Sequence, residues 1–203
     1  MRTTLALLCG FGLAAPFAIA ASEKISTSTM RNLQAAFNGE SNAHARYIAF
    51  ANKADAEGYA GVASLFRAAA RSEEIHAGNH AAVIKRFDGA PEAKLEEPVV
   101  KSTRENLEAA VKGETYERDK MYPAFIGQAR TEANAEAMRT FKFAQAAEVE
   151  HAKLYNEALR DLESMKVSRV FYVCPVCGFT TPNPDLERCP TCATPKERFE
   201  QVS

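Results

Sequence analysis

Two short stretches, SEEIHA at 72–77 and AEVEHA at 147–152, each carry a glutamate and a histidine three residues apart: Glu73 with His76, and Glu148 with His151. On a helix that spacing is close to one turn, so both members of a pair leave the same face. Phe66, Ala69 and Ala77 share the first face; Phe141, Ala144, Ala152 and Tyr155 share the second. An ionised carboxylate on an apolar face is costly unless it is paired or bound to a cation. A hydrogen-bonded Glu/His pair at the edge of a core would account for one such stretch. Two of them, 75 positions apart (148 − 73), point to a common purpose. Glu74, beside Arg67 and Arg71, reads instead as a solvated ion-pair partner.

Two more apolar helical faces each carry a carboxylate. Glu40 lies with Leu33, Phe37 and Tyr47, and Glu114 with Leu107, Val111 and Met121. Four inward carboxylates and two imidazoles suit a pair of divalent metals about 3.5–4 Å apart, bridged by some carboxylates and capped by others. One Glu from each of two helices and Glu-x-x-His from each of the other two is the pattern of di-iron carboxylate bundles. The donor set suits iron or manganese, with zinc as an alternative. Glu117, one turn from Glu114, is a seventh candidate ligand that would let one metal exchange partners with its oxidation state. His44 has no counterpart in the other half and reads as a hydrogen-bonded or exposed histidine.

A second constellation closes the chain. Cys174 and Cys177 form one C-x-x-C, eleven residues follow, and Cys189 and Cys192 form another. Four thiolates so paired hold a tetrahedral metal, iron or zinc; a disulfide framework fits two such tight loops poorly. Gly178, just past the first knuckle, lets the backbone turn and aim N–H groups at sulfur, and Ala193 takes the matching place in the second. A one-electron thiolate site beside a two-electron metal pair suggests a wire feeding a catalyst.

The elements that must position these residues are four helices, near 30–57, 60–87, 103–129 and 132–164. Short turns at 57–59 and 130–131 make each pair an antiparallel hairpin. The segment 88–100, with two prolines and a glycine, is long enough to cross the bundle, which favours a ferritin-like connection. Pro123 falls inside the third helix, where it predicts a kink. Gly39-Glu40 recurs as Gly113-Glu114 at an offset of 74 (113 − 39), so the hairpins read as a duplication.

The chain has 203 residues and a formal charge of −1, which suits a globular protein of one or two domains and gives no electrostatic footprint for nucleic acid. Residues 1–20 differ in kind: one early arginine, an uncharged apolar run interrupted by Gly10, Gly12 and Pro16, then Ala18-Ile19-Ala20. That is the form of a secretory signal peptide cleaved before Ala21, and it predicts an exported, periplasmic protein with no stable membrane insertion. Its removal takes Cys9 with it and leaves the four tail cysteines. The expected domains are thus 1–20, a bundle over 21–165 and a metal-binding tail over 166–203.

From the signal peptide onward the chain resembles the rubrerythrins. The likeness rests on GES at 39–41, ARY at 45–47, EEIH at 73–76, GETYE at 113–117, MYP at 121–123, EVEH at 148–151 and the CPVCG and CPTCA knuckles. It implies an all-α four-helix ferritin-like bundle followed by a small rubredoxin-like four-cysteine metal domain. Glu73 and Glu148 would bridge two irons, Glu40 and Glu114 would be terminal, and His151 would be fixed. His76 and Glu117 would alternate on the other iron. Cys174, Cys177, Cys189 and Cys192 would hold a third iron. The implied activity is reduction of hydrogen peroxide to water with electrons relayed through that iron from an unidentified donor, as protection against oxidative stress. The implied assembly is a head-to-tail homodimer in which one subunit's tail approaches the other's di-iron site. Tyr47 and Tyr122 match tyrosines beside that site. A ferroxidase or iron-storage protein, and a zinc-ribbon interaction module, are the alternatives. The signal peptide departs from a family known mostly from the cytoplasm and puts the donor in question.

Overall fold

The computed structural model describes residues 25–203, so the signal-peptide expectation lies outside the described residues. Helices α1 (Thr27–Ala56) and α2 (Ala60–Arg86) form the first hairpin. The second consists of α3 (Thr103–Tyr116), a π-helical turn (Glu117–Met121), α4 (Tyr122–Thr131) and α5 (Ala135–Arg160). Counting α3 to α4 as one rod, this is the expected four-helix bundle. Its core is aromatic and alanine-rich: Tyr47, Phe50, Phe66 and Tyr155 pack at one end, and Tyr122, Ile126 and Phe141 at the other.

Both hairpins close their ends in the same way. The Glu57 carboxylate, at the end of α1, accepts from the Thr103 amide (2.7 Å) and hydroxyl (2.6 Å) at the start of α3. Glu132, at the end of α4, accepts from the Thr29 amide (3.1 Å) and hydroxyl at the start of α1. Each carboxylate satisfies an orphan N–H of a helix start, where negative charge is also favoured by the dipole.

The crossover over 88–102 is extended and lies along α1. Gln34, Asn38 and Asn42 accept from the amides of Glu92 (3.2 Å), Lys94 (2.7 Å) and Glu96 (2.8 Å). Four helical residues advance about 6 Å and two extended ones about 6.6 Å, so one row of amide side chains can serve alternate residues of the crossover. That match pins a segment without secondary structure of its own.

Pro123 does not break the third helix. It sits in the first turn of α4, where its missing N–H costs least, and the π-helical turn before it absorbs the mismatch. That turn also explains the uneven repeat. Glu114 follows Glu40 by 74 positions, but Tyr122 follows Tyr47 by 75 (122 − 47), as Glu148 follows Glu73. The π turn lies between Glu114 and Tyr122 and accommodates the extra residue while both side chains still face inward.

After a 3-10 turn (Glu163–Lys166), the tail forms a small antiparallel sheet of β1 (Phe171–Val173), β2 (Thr180–Thr181) and β3 (Glu200–Val202), in the order β2-β1-β3. It packs on α2 of its own chain. Arg71 grips Glu200 through Nε (2.6 Å) and Nη2 (2.9 Å). A Cβ on Gly61 would meet the Val167 carbonyl at 2.5 Å, so the linker can pass only over a glycine. Among the described residues no helix is long and apolar enough to cross a membrane.

Candidate metal centres

Six side chains from four helices meet inside the bundle: Glu40 from α1, Glu73 and His76 from α2, Glu114 from α3, and Glu148 and His151 from α5. Each is at most 1% exposed. They make two overlapping groups, Glu40/Glu73/His76/Glu148 and Glu73/Glu114/Glu148/His151, with ligand atoms in each group within 4.8 Å of one another. Glu73 and Glu148 belong to both groups, the place of bridging ligands. Glu40 with His76, and Glu114 with His151, close the two ends.

Hydrogen bonds from behind fix which atoms face inward. His76 Nε2 lies 3.1 Å from the Cys177 carbonyl, which can only accept. His151 Nε2 lies 3.2 Å from the Thr180 hydroxyl, whose own proton goes to the Gly178 carbonyl at 3.0 Å. Both rings therefore carry their proton on Nε2 and turn Nδ1 toward the carboxylates. His76 Nδ1 is 2.8 Å from Glu73 and 3.2 Å from Glu148; His151 Nδ1 is 2.9 Å from Glu148 and 3.3 Å from Glu73. Lone pairs so placed repel unless a proton or a metal ion lies between them.

The terminal carboxylates are aimed in the same way. The Tyr122 hydroxyl donates to Glu40 Oε1 and the Tyr47 hydroxyl to Glu114 Oε1, each phenol reaching across to the other hairpin. Oε2 of Glu40 and of Glu114, Oε1 of Glu73, both oxygens of Glu148 and Nδ1 of His151 are buried without any hydrogen-bond partner. Dry interiors do not keep so many orphaned polar atoms together for packing's sake. The residues fit a metal pair.

Electrostatics agree. Burial, then the Glu73 and Glu148 charges, push the Glu40 carboxyl well above its ordinary range; burial, then Glu148 and Glu73, push Glu114 up to about 8. Burial works to lower the two imidazoles, but the surrounding carboxylates outweigh it and hold His76 and His151 well above the usual histidine value. Without metal the cluster holds protons, so metal uptake must release them.

Glu117 stands outside both ligand groups. It opens the π turn half-buried, and burial, followed by the Glu40 and Glu114 charges, raises its carboxyl well above normal. His44 is hydrogen-bonded, Nδ1 to the Ala70 carbonyl at 2.8 Å. One residue beside the site escaped sequence reasoning. His80 is fully buried and reaches Tyr122 and Thr140, with its imidazole pushed down to about 3 by burial and by His76. Its spacing, four after His76 and 75 before Tyr155 (155 − 80), was the available signal.

The tail's four sulfurs lie within 4.8 Å of one another, with Cys174–Cys192 at 3.5 Å and Cys177–Cys189 at 3.4 Å. These separations are too long for disulfides and close to the edge of a metal–thiolate tetrahedron, about 3.8 Å for bonds of about 2.3 Å. Each knuckle ends in a residue of positive φ, Gly178 at 76° and Ala193 at 60°. Only the first must be glycine for space: a Cβ there would lie 2.3 Å from His76 Nε2 and 2.5 Å from Ser72 Oγ. The Ser72 hydroxyl donates to the Gly178 carbonyl (2.7 Å) and the Asn79 amide to the Val176 carbonyl (2.9 Å). One face of α2 thus holds three successive carbonyls of the knuckle. The approach of tail to metal site that the resemblance implies across a dimer is made here within one chain.

Fold and sites together define a carboxylate–histidine di-metal bundle carrying a rubredoxin-like four-cysteine centre. Residues 31–159 match the Rubrerythrin family model. The chain is 39% identical to nigerythrin of Nitratidesulfovibrio vulgaris over 89% of its own length and 90% of that protein's. It is also 39% identical to rubrerythrin-2 of Clostridium acetobutylicum, over 83% and 93%. A solved structure of nigerythrin in its fully reduced, all-ferrous state matches with a TM-score of 0.81 at 36% identity, covering 95% of this chain and all of that one. The chain belongs to the rubrerythrin family, and its two centres are that family's di-iron and rubredoxin-type iron sites. Its class is therefore that of an iron-containing oxidoreductase.

Proposed function

We propose that this protein is a peroxidase that reduces hydrogen peroxide to two waters, using two electrons and two protons. The observation that carries this reading is the 3.1 Å hydrogen bond between His76 Nε2 and the Cys177 carbonyl, which joins a thiolate ligand of one centre to an imidazole of the other. A storage site has no use for such a junction. When bound, an iron pair supplies two electrons at once, and the four-cysteine iron replenishes them one at a time.

The chain's own groups do the rest. Glu73 and Glu148 face both metal positions, and the phenols of Tyr47 and Tyr122 hold the terminal carboxylates at fixed angles. The apolar rings of Phe66 and Phe141, both fully buried, help keep the site dry. Glu117, at the start of the π turn, would be a reserve carboxylate for the metal position that His76 serves. We also propose export under the leader at 1–20, checked by a mature chain that begins at Ala21.

The test is an anaerobic stopped-flow trace of the reduced, iron-loaded protein mixed with peroxide or with oxygen. Fast peroxide oxidation of both centres, with oxygen much slower, is expected; fast oxygen consumption with sluggish peroxide would make it a ferroxidase instead. His76→Ala should slow peroxide turnover while iron is largely retained.

A further inference from the structure

The bundle holds a buried histidine that the proposed reaction leaves without a role. Thr140 Oγ1 lies 3.0 Å from His80 Nδ1, His80 Nε2 lies 3.3 Å from the Tyr122 hydroxyl oxygen, and the Tyr122 hydroxyl donates to Glu40 Oε1. With Glu40 ionised, as a metal ligand must be, only one set of protons satisfies this chain. Tyr122 has a single hydrogen and spends it on Glu40, so its oxygen must accept from His80 Nε2–H; His80 Nδ1 then accepts from Thr140. All donors run one way, each polarising the next, and they end on a terminal ligand.

The other half of the bundle has no histidine in this place. The position equivalent to His80 is Tyr155, whose hydroxyl is buried with no partner. Tyr47 donates to Glu114, and no hydrogen bond reaches it from Tyr155. His80 itself is no ligand: it belongs to neither ligand group, and its Nε2 is 3.9 Å from Glu40 Oε1.

We propose that His80 is a positioning residue that acts through Tyr122 to aim Glu40, and thereby makes the Glu40–His76 metal position bind its ion more tightly than the Glu114–His151 position. The chain of donors locks the phenol, the phenol fixes Glu40 Oε1, and Oε2 stays buried without a protein partner, free to serve a metal ion. Partners in this outer layer commonly matter by about 10–100-fold in metal affinity. The inference rests on the two-metal reading above and concerns which of the two positions this chain favours.

The test is a titration of the metal-free full-length chain with manganese(II), an ion suited to carboxylates rather than thiolates, with free ion counted by electron paramagnetic resonance. The wild type should take up two ions in unequal steps. His80→Phe should weaken the tighter one about tenfold and leave the other within about twofold. His80→Gln, whose amide can still donate to the phenol, should recover most of the loss. Thr140→Val, which leaves His80 in place and should fold even if His80→Phe does not, should weaken the same ion by about threefold. Equal weakening of both ions, unchanged binding in His80→Phe and Thr140→Val, or no recovery in His80→Gln would each overturn the role of His80. A wild type that binds no pair of ions would bring down the two-metal reading itself.

Discussion

The two hairpins of the bundle present the same constellation from opposite sides: a helix bearing Glu40 or Glu114, a helix bearing Glu73/His76 or Glu148/His151, a crossing phenol, and a carboxylate closing the partner's helix start. They differ where the second has a π turn with Glu117 and where the first has His80 in place of Tyr155. The tail adds a further difference, since Cys177 touches His76 and Thr180 touches His151. A duplicated scaffold thus supplies a symmetric ligand cage. The groups behind the ligands give the two metal positions unequal surroundings.

The strongest test of the shared cage is Glu148→Ala. It removes a ligand from both metal groups, so metal bound by the bundle should fall from two ions to one or none, while the four-cysteine iron keeps its red colour; elemental analysis with visible absorption checks this. Glu73→Ala should match it, and a mild phenotype in either would separate the halves.

The junction comes next. Gly178→Ala forces a methyl against His76 and Ser72 and should slow electron transfer from tail iron to bundle iron by at least about tenfold, seen as tail re-oxidation lagging in stopped flow. Ala193→Gly, at the matching knuckle, relieves a positive φ instead and should leave the transfer rate unchanged.

Deleting Asp119 removes the extra residue of the π turn and should give the second hairpin the continuous α-helix of the first. Metal should still bind in a ratio of two, but peroxide turnover should fall several-fold because Glu117 loses its place. Unchanged turnover would deny Glu117 a role.

Smaller effects fall on the helix starts. Hydrogen bonds from Thr103 hold Glu57 down to about 2, and those from Ser26 and Thr29 hold Glu132 down to about 2. A carboxyl depressed in the folded state stabilises above its unfolded value of about 4.3 and loses that contribution as pH falls toward its folded one. Glu57→Ala should therefore lower Tm by about 3 °C at neutral pH, with the gap closing between about pH 4.3 and 2. Glu132→Ala should show the same pH dependence.

Tyr155→Phe should change least. Its orphaned hydroxyl is a burden, so the variant should bind metal normally and gain up to about 1 kcal/mol in urea unfolding. A loss of metal there would show that the two halves are supported alike after all.

Much of the site could be read in the residues. Glu-x-x-His twice on apolar faces, two further inward glutamates and two C-x-x-C knuckles specify donor types and count, because burying charge without a cation is too costly to recur. Helix count and the crossing connection followed from periodicity and from the long proline-bearing segment between the hairpins. The slip from 74 to 75 was visible as a number but not as a π turn, since a sequence offset cannot say where a helix absorbs an extra residue.

Sequence by itself determined which atoms could hold metal: six carboxylate and imidazole ligands at helical spacing, and four thiolates in two tight turns. Only the tertiary structure decided which atoms face one another. Tyr122 on Glu40, His80 behind it, and the Cys177 carbonyl on His76 join segments 42 to 101 positions apart. No local periodicity encodes such pairings, because hydrogen-bond direction is set only when separate helices and the tail are packed together and their buried donors must find acceptors.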